Sequence, residues 1–383
     1  MKFFRAINLI SITLTLLFLT ACGGRSISSG TGTLSLGLTD ASMNDVKAAY
    51  VTINEVQVHF GDEGHVENGN GDWEVVATPN KTYNLLELVN GIIERLGITE
   101  LKTGHYTQLR LITGNTPDDG TNILNARHMA ANYFIDLSDG YHELKIPSGY
   151  QTGIKIVYGF DIAEDQITEL VLDFDTLKSL VKAGNSGKWI LKPTIKVINM
   201  PTAGMVGGIV SDGSDALKGV SIIAQIYEPT PVDIKDQVII QNSTTTESDG
   251  SYLMYLRQGA YNLVLYKNGY SIVCRKIEVD WKTAYDDNFT LIVAPNTGTV
   301  VGDVTIEGDD EVNLSFRRST KCEKSASDEL IEVISESIAG SGNYNVSLPT
   351  GDYDLIVSTD GEDTIDAYIS VAKDTPTVVN IEF

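Results

Sequence analysis

The sequence predicts an all-β protein of three tandem antiparallel β-sandwich domains, the first with one inserted helix. Three observations lead there. Apolar residues alternate with period two along most of the chain, the signature of strands with one buried face. Thirty-five glycines and 17 tyrosines among 383 residues are the composition of turn-rich β structure. Three stretches also repeat one pattern, a Gly-x-Tyr followed by alternating apolar residues: LKTGHYTQLRL from 101, LRQGAYNLVL from 256 and LPTGDYDLIV from 348. The length exceeds what one sandwich holds, so several domains are expected.

The first 21 residues read as a secretory signal: Lys2 and Arg5, an apolar run from Ile7 to Leu19, then small residues. The stretch LTAC at 19–22 resembles the bacterial lipobox, which implies that Cys22 is lipidated and becomes the first residue of the mature chain. Several acyl chains anchor stably, since each buried methylene contributes about 0.8 kcal/mol. Gly23 stands where Asp marks inner-membrane retention, so the expected destination is the outer membrane. Residues 22–32 then form the lipidated end and a Gly/Ser tether.

Removing Lys2 and Arg5 with the signal leaves 26 basic against 51 acidic residues. A net charge of −25 excludes nucleic acid as a partner and leaves room for divalent cations. Cys274 and Cys322 remain after lipidation. Two small buried thiols are the plainer reading, and an exported chain also allows a disulfide.

In the first domain, 33–200, the strand YVTINEVQVHF slips phase near Asn54 and Glu55, the mark of a β-bulge. From Leu85 the period changes. Leu85, Leu88, Val89, Ile92, Ile93 and Leu96 share one helical face, which Gly97 ends. Strand-like runs follow at 106–113, 132–137, 142–146, 153–160, 168–174 and 189–198. The helix is expected to cover an edge or end of the sandwich.

Beyond 200 the pattern is duplicated. Gly250-Ser-Tyr252 precedes Gly259-Ala-Tyr261, and Gly342-Asn-Tyr344 precedes Gly351-Asp-Tyr353. Each pair is nine residues apart, and the copies are offset by 92 (342 − 250 and 351 − 259). The short gaps at 257–259 and 349–351 read as hairpin turns in which glycine takes a positive φ. This gives domains at 205–295 and 298–383.

Two resemblances follow from these residues. GTLSLGLTDAS, YVTINEVQVHF, LLELVNG, LKTGHYTQLRL, KIPSGYQTGIKI, LDFD and LKPTIKV, spread over 32–197, resemble the bacterial lipoproteins that carry DUF4382, a domain of unknown function. That implies an exported β-rich domain and no particular activity. GGIVSD at 207, LKGVSI at 217, TTESDGSY at 245 and KNGY at 267 resemble the carboxypeptidase regulatory-like domain, a transthyretin-like sandwich. The second copy is a degenerate version of it. Such domains carry carbohydrate- or protein-binding surfaces or act as spacers.

Candidates for chemistry are few. Asp173 and Asp175 share one face of a strand, and paired carboxylates can bind Ca²⁺ or act as acid and base. They lie side by side, not across a cleft, so Asp175 capping a short helix at 176–183 on a solvated face is favoured. In the loop GDEGHVENGNGD at 61–72, Asp62, Asn68, Asn70 and Asp72 alternate like a calcium loop, with Glu63 and His65 nearby. Trp73 stands where an EF-hand needs Gly, so a hairpin tip is favoured over calcium. His59, His65, His105, His128 and His142 never fall into a metal spacing. No nucleophile elbow or phosphate loop is present. Tyr255 and Tyr266 fall on positions expected to be exposed, where they can stack on sugars; ordinary cross-strand tyrosine pairing is the favoured reading.

The expected function is a non-catalytic, membrane-anchored envelope lipoprotein that binds, displays or scaffolds. Its partners are the membrane, through the lipid on Cys22, and a polysaccharide or envelope protein. A carbohydrate-binding accessory protein and a fibre or adhesion subunit are the alternatives. The fibre reading rests on a terminal strand, TPTVVNIEF at 375–383, left open for pairing.

Overall fold

The computed structural model describes residues 30–41, 46–61, 73–146, 149, 151–183, 188–308 and 310–383. The described residues build an all-β protein whose hydrophobic clusters separate into three principal cores, at 34–197, 206–291 and 264–381.

The N-terminal unit is a sandwich. One sheet runs Ile195–Asn199, Ile167–Asp175, Thr31–Ala41, Glu94–Lys102. The other centres on the 15-residue strand Val46–Phe60, flanked by Asn132–Asp136 and Gly104–Thr113. Leu34, Leu36 and Leu38 alternate inward and meet Leu170, Leu172 and Phe174 of the parallel neighbour. The expected bulge is present: the pairing of Val46–Phe60 with Gly104–Thr113 shifts register between Ile53 and Glu55. Each unit also carries a parallel pairing, so the sheets are mixed and not purely antiparallel.

The inserted helix does not form. Leu85–Glu87 is one 3₁₀ turn, and Glu94–Lys102 is a strand antiparallel to Thr31–Ala41. Asn90 and Gly91, at φ 55° and 77°, turn the chain between them. The open edge of Thr31–Ala41 takes up the backbone of 94–102, and that long-range pairing overrides the helical spacing. The short helix expected at 176–183 is one turn, Thr176–Ser179, running into the strand Leu180–Ala183.

The second and third units share one wiring. In the second, Ser251–Arg257 and Ala203–Ser211 face a sheet ordered Val238–Thr245, Ser221–Tyr227, Gly259–Tyr266, Val273–Val279. In the third, Gly342–Pro349 and Thr297–Thr305 face Glu329–Ala339, Glu311–Thr320, Gly351–Ser358, Ile365–Val371. Fine details repeat as well. Tyr252 Oη donates to Asp287 O and Tyr344 Oη to Val379 O, both at 2.7 Å and both pairs offset by 92 (344 − 252 and 379 − 287). A register shift between Ala224 and Gln225 recurs between Phe316 and Arg317 (316 − 224 = 92). The terminal strand expected to be open is already paired: Thr377–Val378 and Ile381–Glu382 lie parallel to Thr297–Thr305.

The Gly-x-Tyr gaps are not hairpins. At each one the chain leaves one sheet of a sandwich for the facing sheet, so the two strands it joins are never hydrogen-bonded neighbours. Gly104, Gly259 and Gly351 make the step at φ 145°, 159° and 142°, backbone that L side chains rarely adopt. The tyrosine two residues on is buried and donates its hydroxyl to the carbonyl four residues back: Tyr106 to Lys102 (3.2 Å), Tyr261 to Arg257 (2.8 Å) and Tyr353 to Pro349 (2.9 Å). These are tyrosine corners. The recurrent motif is therefore the device that closes each of the three sandwiches.

Candidate functional site

Asp173 and Asp175 are the sequence's best acid pair, and their strand places them on a seam, not a solvated face. Ile167–Asp175 is buried on both sides from Leu170 onward. Its inner face meets the N-terminal core. Its outer face, with Val171 and Asp173, is covered by the second unit through Ala203 and Tyr255, beside Ile198 of the neighbouring strand. Asp173 and Asp175 are each 3% exposed. Burial pushes Asp173 up to about 7, Lys196 beside it pulls the other way, and Asp175 adds to the rise. Asn242 of the second unit hydrogen-bonds it.

Asp40 reaches across from the neighbouring strand to the start of the helical turn. Thr176 N and Oγ1 donate to Asp40 Oδ1 at 3.0 and 2.7 Å. Asp40 Oδ2 is buried without a hydrogen-bond partner, and burial holds its carboxyl well above the usual range. The void between the units, lined by Asp40, Asp173, Asn242 and Tyr255, measures about 10 Å³. That is at the lower limit for a single water.

The remaining expected sites sort plainly. Cys22 and the candidate calcium ligands Asp62, Asn68, Asn70 and Asp72 lie outside the described residues. Among the described residues no group of three or more His, Cys, Asp or Glu is arranged to hold a metal ion. The described histidines each have a local partner: His59 with Thr107, His105 with Asp161, His128 with Tyr133 and His142 with Asp136. Tyr255 and Tyr266 are not exposed stacking platforms. Tyr255 is half-buried against the N-terminal unit, with its hydroxyl 3.4 Å from Gly91 O. Tyr266 is 7% exposed, packs into the core of the third unit and donates to Ser347 O. Alternation identifies a strand's two faces but not which neighbour covers them.

The polar groups that matter structurally sit at three junctions. Between the first and second units, Asn90 Oδ1 accepts from Thr244 Oγ1 (3.1 Å) and Leu253 N (3.3 Å), and its Nδ2 donates to Glu247 (2.8 Å). Lys196 donates to the carbonyls of Ile240 and Gln241. Between the second and third, buried Gln225 exchanges two hydrogen bonds with the backbone of Glu332 (2.9 and 2.8 Å). Arg317, 3% exposed, donates to Ile234 O and Lys235 O. Cys274 and Cys322 form a disulfide across this junction, with Cα atoms 4.6 Å apart, so they are not the two thiols expected. Between the first and third, Lys182 and Ala183 pair in parallel with Ile338 and Ala339, which makes one continuous 13-stranded sheet. Lys192 and Glu311 form an ion pair beside it at 3.1 Å.

Apart from the two cysteines, none of these residues stands out in the sequence as a candidate site. Gln225 and Arg317 had one available signal, the repeated phase slip that turns a polar side chain inward after a bulge. Asn90-Gly91 had another, as a turn dipeptide inside an apparent helix.

Residues 31–193 match the family described as domain of unknown function (DUF4382). No curated protein matches the chain. Among solved structures, the Bacillus anthracis TIE protein is similar at 11% identity, over 92% of this chain and 50% of that one, with a TM-score of 0.20. The chain thus spans half the length of that relative. A streptococcal ancillary pilin is similar at 12% identity over 92% and 98% of the two chains, with a TM-score of 0.20. The shaft pilin SpaA from Lactobacillus rhamnosus GG is similar at 12% identity over 47% and 97%, also with a TM-score of 0.20.

Proposed function

We propose that this protein is a non-catalytic lipoprotein of the bacterial envelope, anchored through Cys22, whose folded body is a stiff display scaffold. The observation that carries this reading is that all three junctions are closed, each by different means: a buried polar seam, a disulfide with a shared core, and a continuous sheet. Spacer domains on flexible links keep small, separable contacts. Here the contacts are buried and directional, which fits a part that must hold a fixed shape at a membrane. The side chains best suited to acid–base work are spent on that shape: Asp40 holds the start of a turn and Asp173 lies in the seam.

The disulfide agrees with an oxidising compartment outside the cytoplasm. The carboxypeptidase regulatory-like assignment of 205–295 belongs to this proposal too, with the repeated wiring as its support. A fibre or adhesion role would use the outer strands of the long sheet, Ile154–Ile162 and Ile365–Val371, since the terminal strand is already paired.

The test is fatty-acid labelling with membrane fractionation in a bacterial host. Wild type is expected to carry label and sediment with membranes, and Cys22→Ser to be unlabelled and soluble. An unlabelled wild type, or a Cys22→Ser chain that still sediments, would sink the anchoring.

A further inference from the structure

A cleft of about 530 Å³ lies where the second unit passes to the third. This is within the range of roughly 300–1,000 Å³ that small-molecule sites occupy. One wall comes from Ser271 and the linker residue Asn296, the other from Arg318, Thr320, Lys321 and Thr350. The frame is fixed. Thr350 N donates to Asn296 O at 3.1 Å, which ties the linker to the third unit's tyrosine corner, and the disulfide runs through Cys274 on the lining.

The charge in this cleft runs against the rest of the molecule. The chain has 51 acidic and 28 basic residues, yet the cleft presents two cations without acidic partners. Lys321 enters no ion pair among the described residues. Arg318 lies over the Tyr353 ring, 5.3 Å from its centroid, and enters no ion pair among the described residues. The one carboxylate on the lining, Glu323, is taken by Arg275 at 2.7 Å. A guanidinium held on an aromatic ring with no carboxylate of its own is suited to an anionic oxygen pair. The other polar groups on the lining are the hydroxyls of Ser271, Thr320 and Thr350 and the Asn296 amide, which suit a ligand rich in hydroxyls.

We infer that this cleft binds an acidic saccharide, with the sugar carboxylate on Arg318 and Lys321 and its hydroxyls on the Ser, Thr and Asn side chains. The site does not depend on the scaffold reading, and its failure would leave the lipid-labelling result untouched.

The experiment is titration calorimetry of the oxidised chain with a uronic acid disaccharide, its neutral counterpart and inorganic phosphate. The expected result is binding of the acidic sugar alone, weakened about tenfold or more by Arg318→Gln and by Lys321→Gln, and weakened by salt. Lys321→Gln is the decisive variant, because Lys321 is exposed and its loss leaves the core intact. No binding of the acidic disaccharide would overturn the inference. So would binding unchanged in both variants, equal binding of the neutral sugar, or equal binding of phosphate.

Discussion

Asp173 lies where a strand is covered on both faces, and its titration reports that covering. Its folded pKa of about 7 is above the ordinary value of 3.8, because burial disfavours the charged form. A raised carboxyl contributes stability that is present below the unfolded pKa and lost as pH rises through the folded one. The window is therefore about pH 4 to 7, at up to about 1.4 kcal/mol per pH unit. Asp173→Asn keeps the shape and removes the titration. In denaturant melts at a series of pH values, the variant is expected to gain on wild type steadily from pH 4 to pH 7 and to hold that gain above it. Parallel curves would show that Asp173 is not titrating in the seam. The acid pair itself was legible in LDFD at 172–175. Its burial was not, because the second unit's residues that cover it, among them Asn242 69 residues further along the chain (242 − 173), leave no local signal.

At the scale of the element, the corner is the unit that recurs. Each Gly-x-Tyr carries a strand from one sheet to the facing one, and each tyrosine ties the crossing to the strand it has just left. Removing one hydroxyl leaves a buried carbonyl with one bond fewer, which costs about 1–2 kcal/mol. Tyr353→Phe and Tyr261→Phe are each expected to lower the denaturant midpoint by that amount without changing the far-UV spectrum. A midpoint equal to wild type would mean that the glycine alone makes the corner. The strands were readable because period two is a local signal. Hairpin versus corner was not, since both need the same glycine and the same short gap. The helix expected at 85–96 failed for a related reason: its apolar spacing fits one face of a helix, but an open strand edge offered it long-range hydrogen bonds.

At the scale of the molecule, the three units form one body with a shared sheet, a shared core and a covalent tie. The disulfide spans 48 residues, and closing a loop of that size restricts the unfolded chain by about 4 kcal/mol in the entropic account. In calorimetry, Cys274→Ser with Cys322→Ser is expected to lower the melting temperature and to uncouple the second and third units as an earlier transition. An unchanged melt would show that the Gln225–Glu332 and Arg317 contacts hold the junction without the bond. The sequence alone determined the all-β class, the bulge at Asn54, the 92-residue duplication and the places where glycine must stand. All of these follow from residues close together, where side-chain period and backbone sterics decide. Only the tertiary structure decided which faces are covered, that the two cysteines pair, that Asp40 reaches the turn, and that two unpaired cations meet in one cleft. Each of those depends on segments brought together from far along the chain, and no local period records which distant surface will cover a given face.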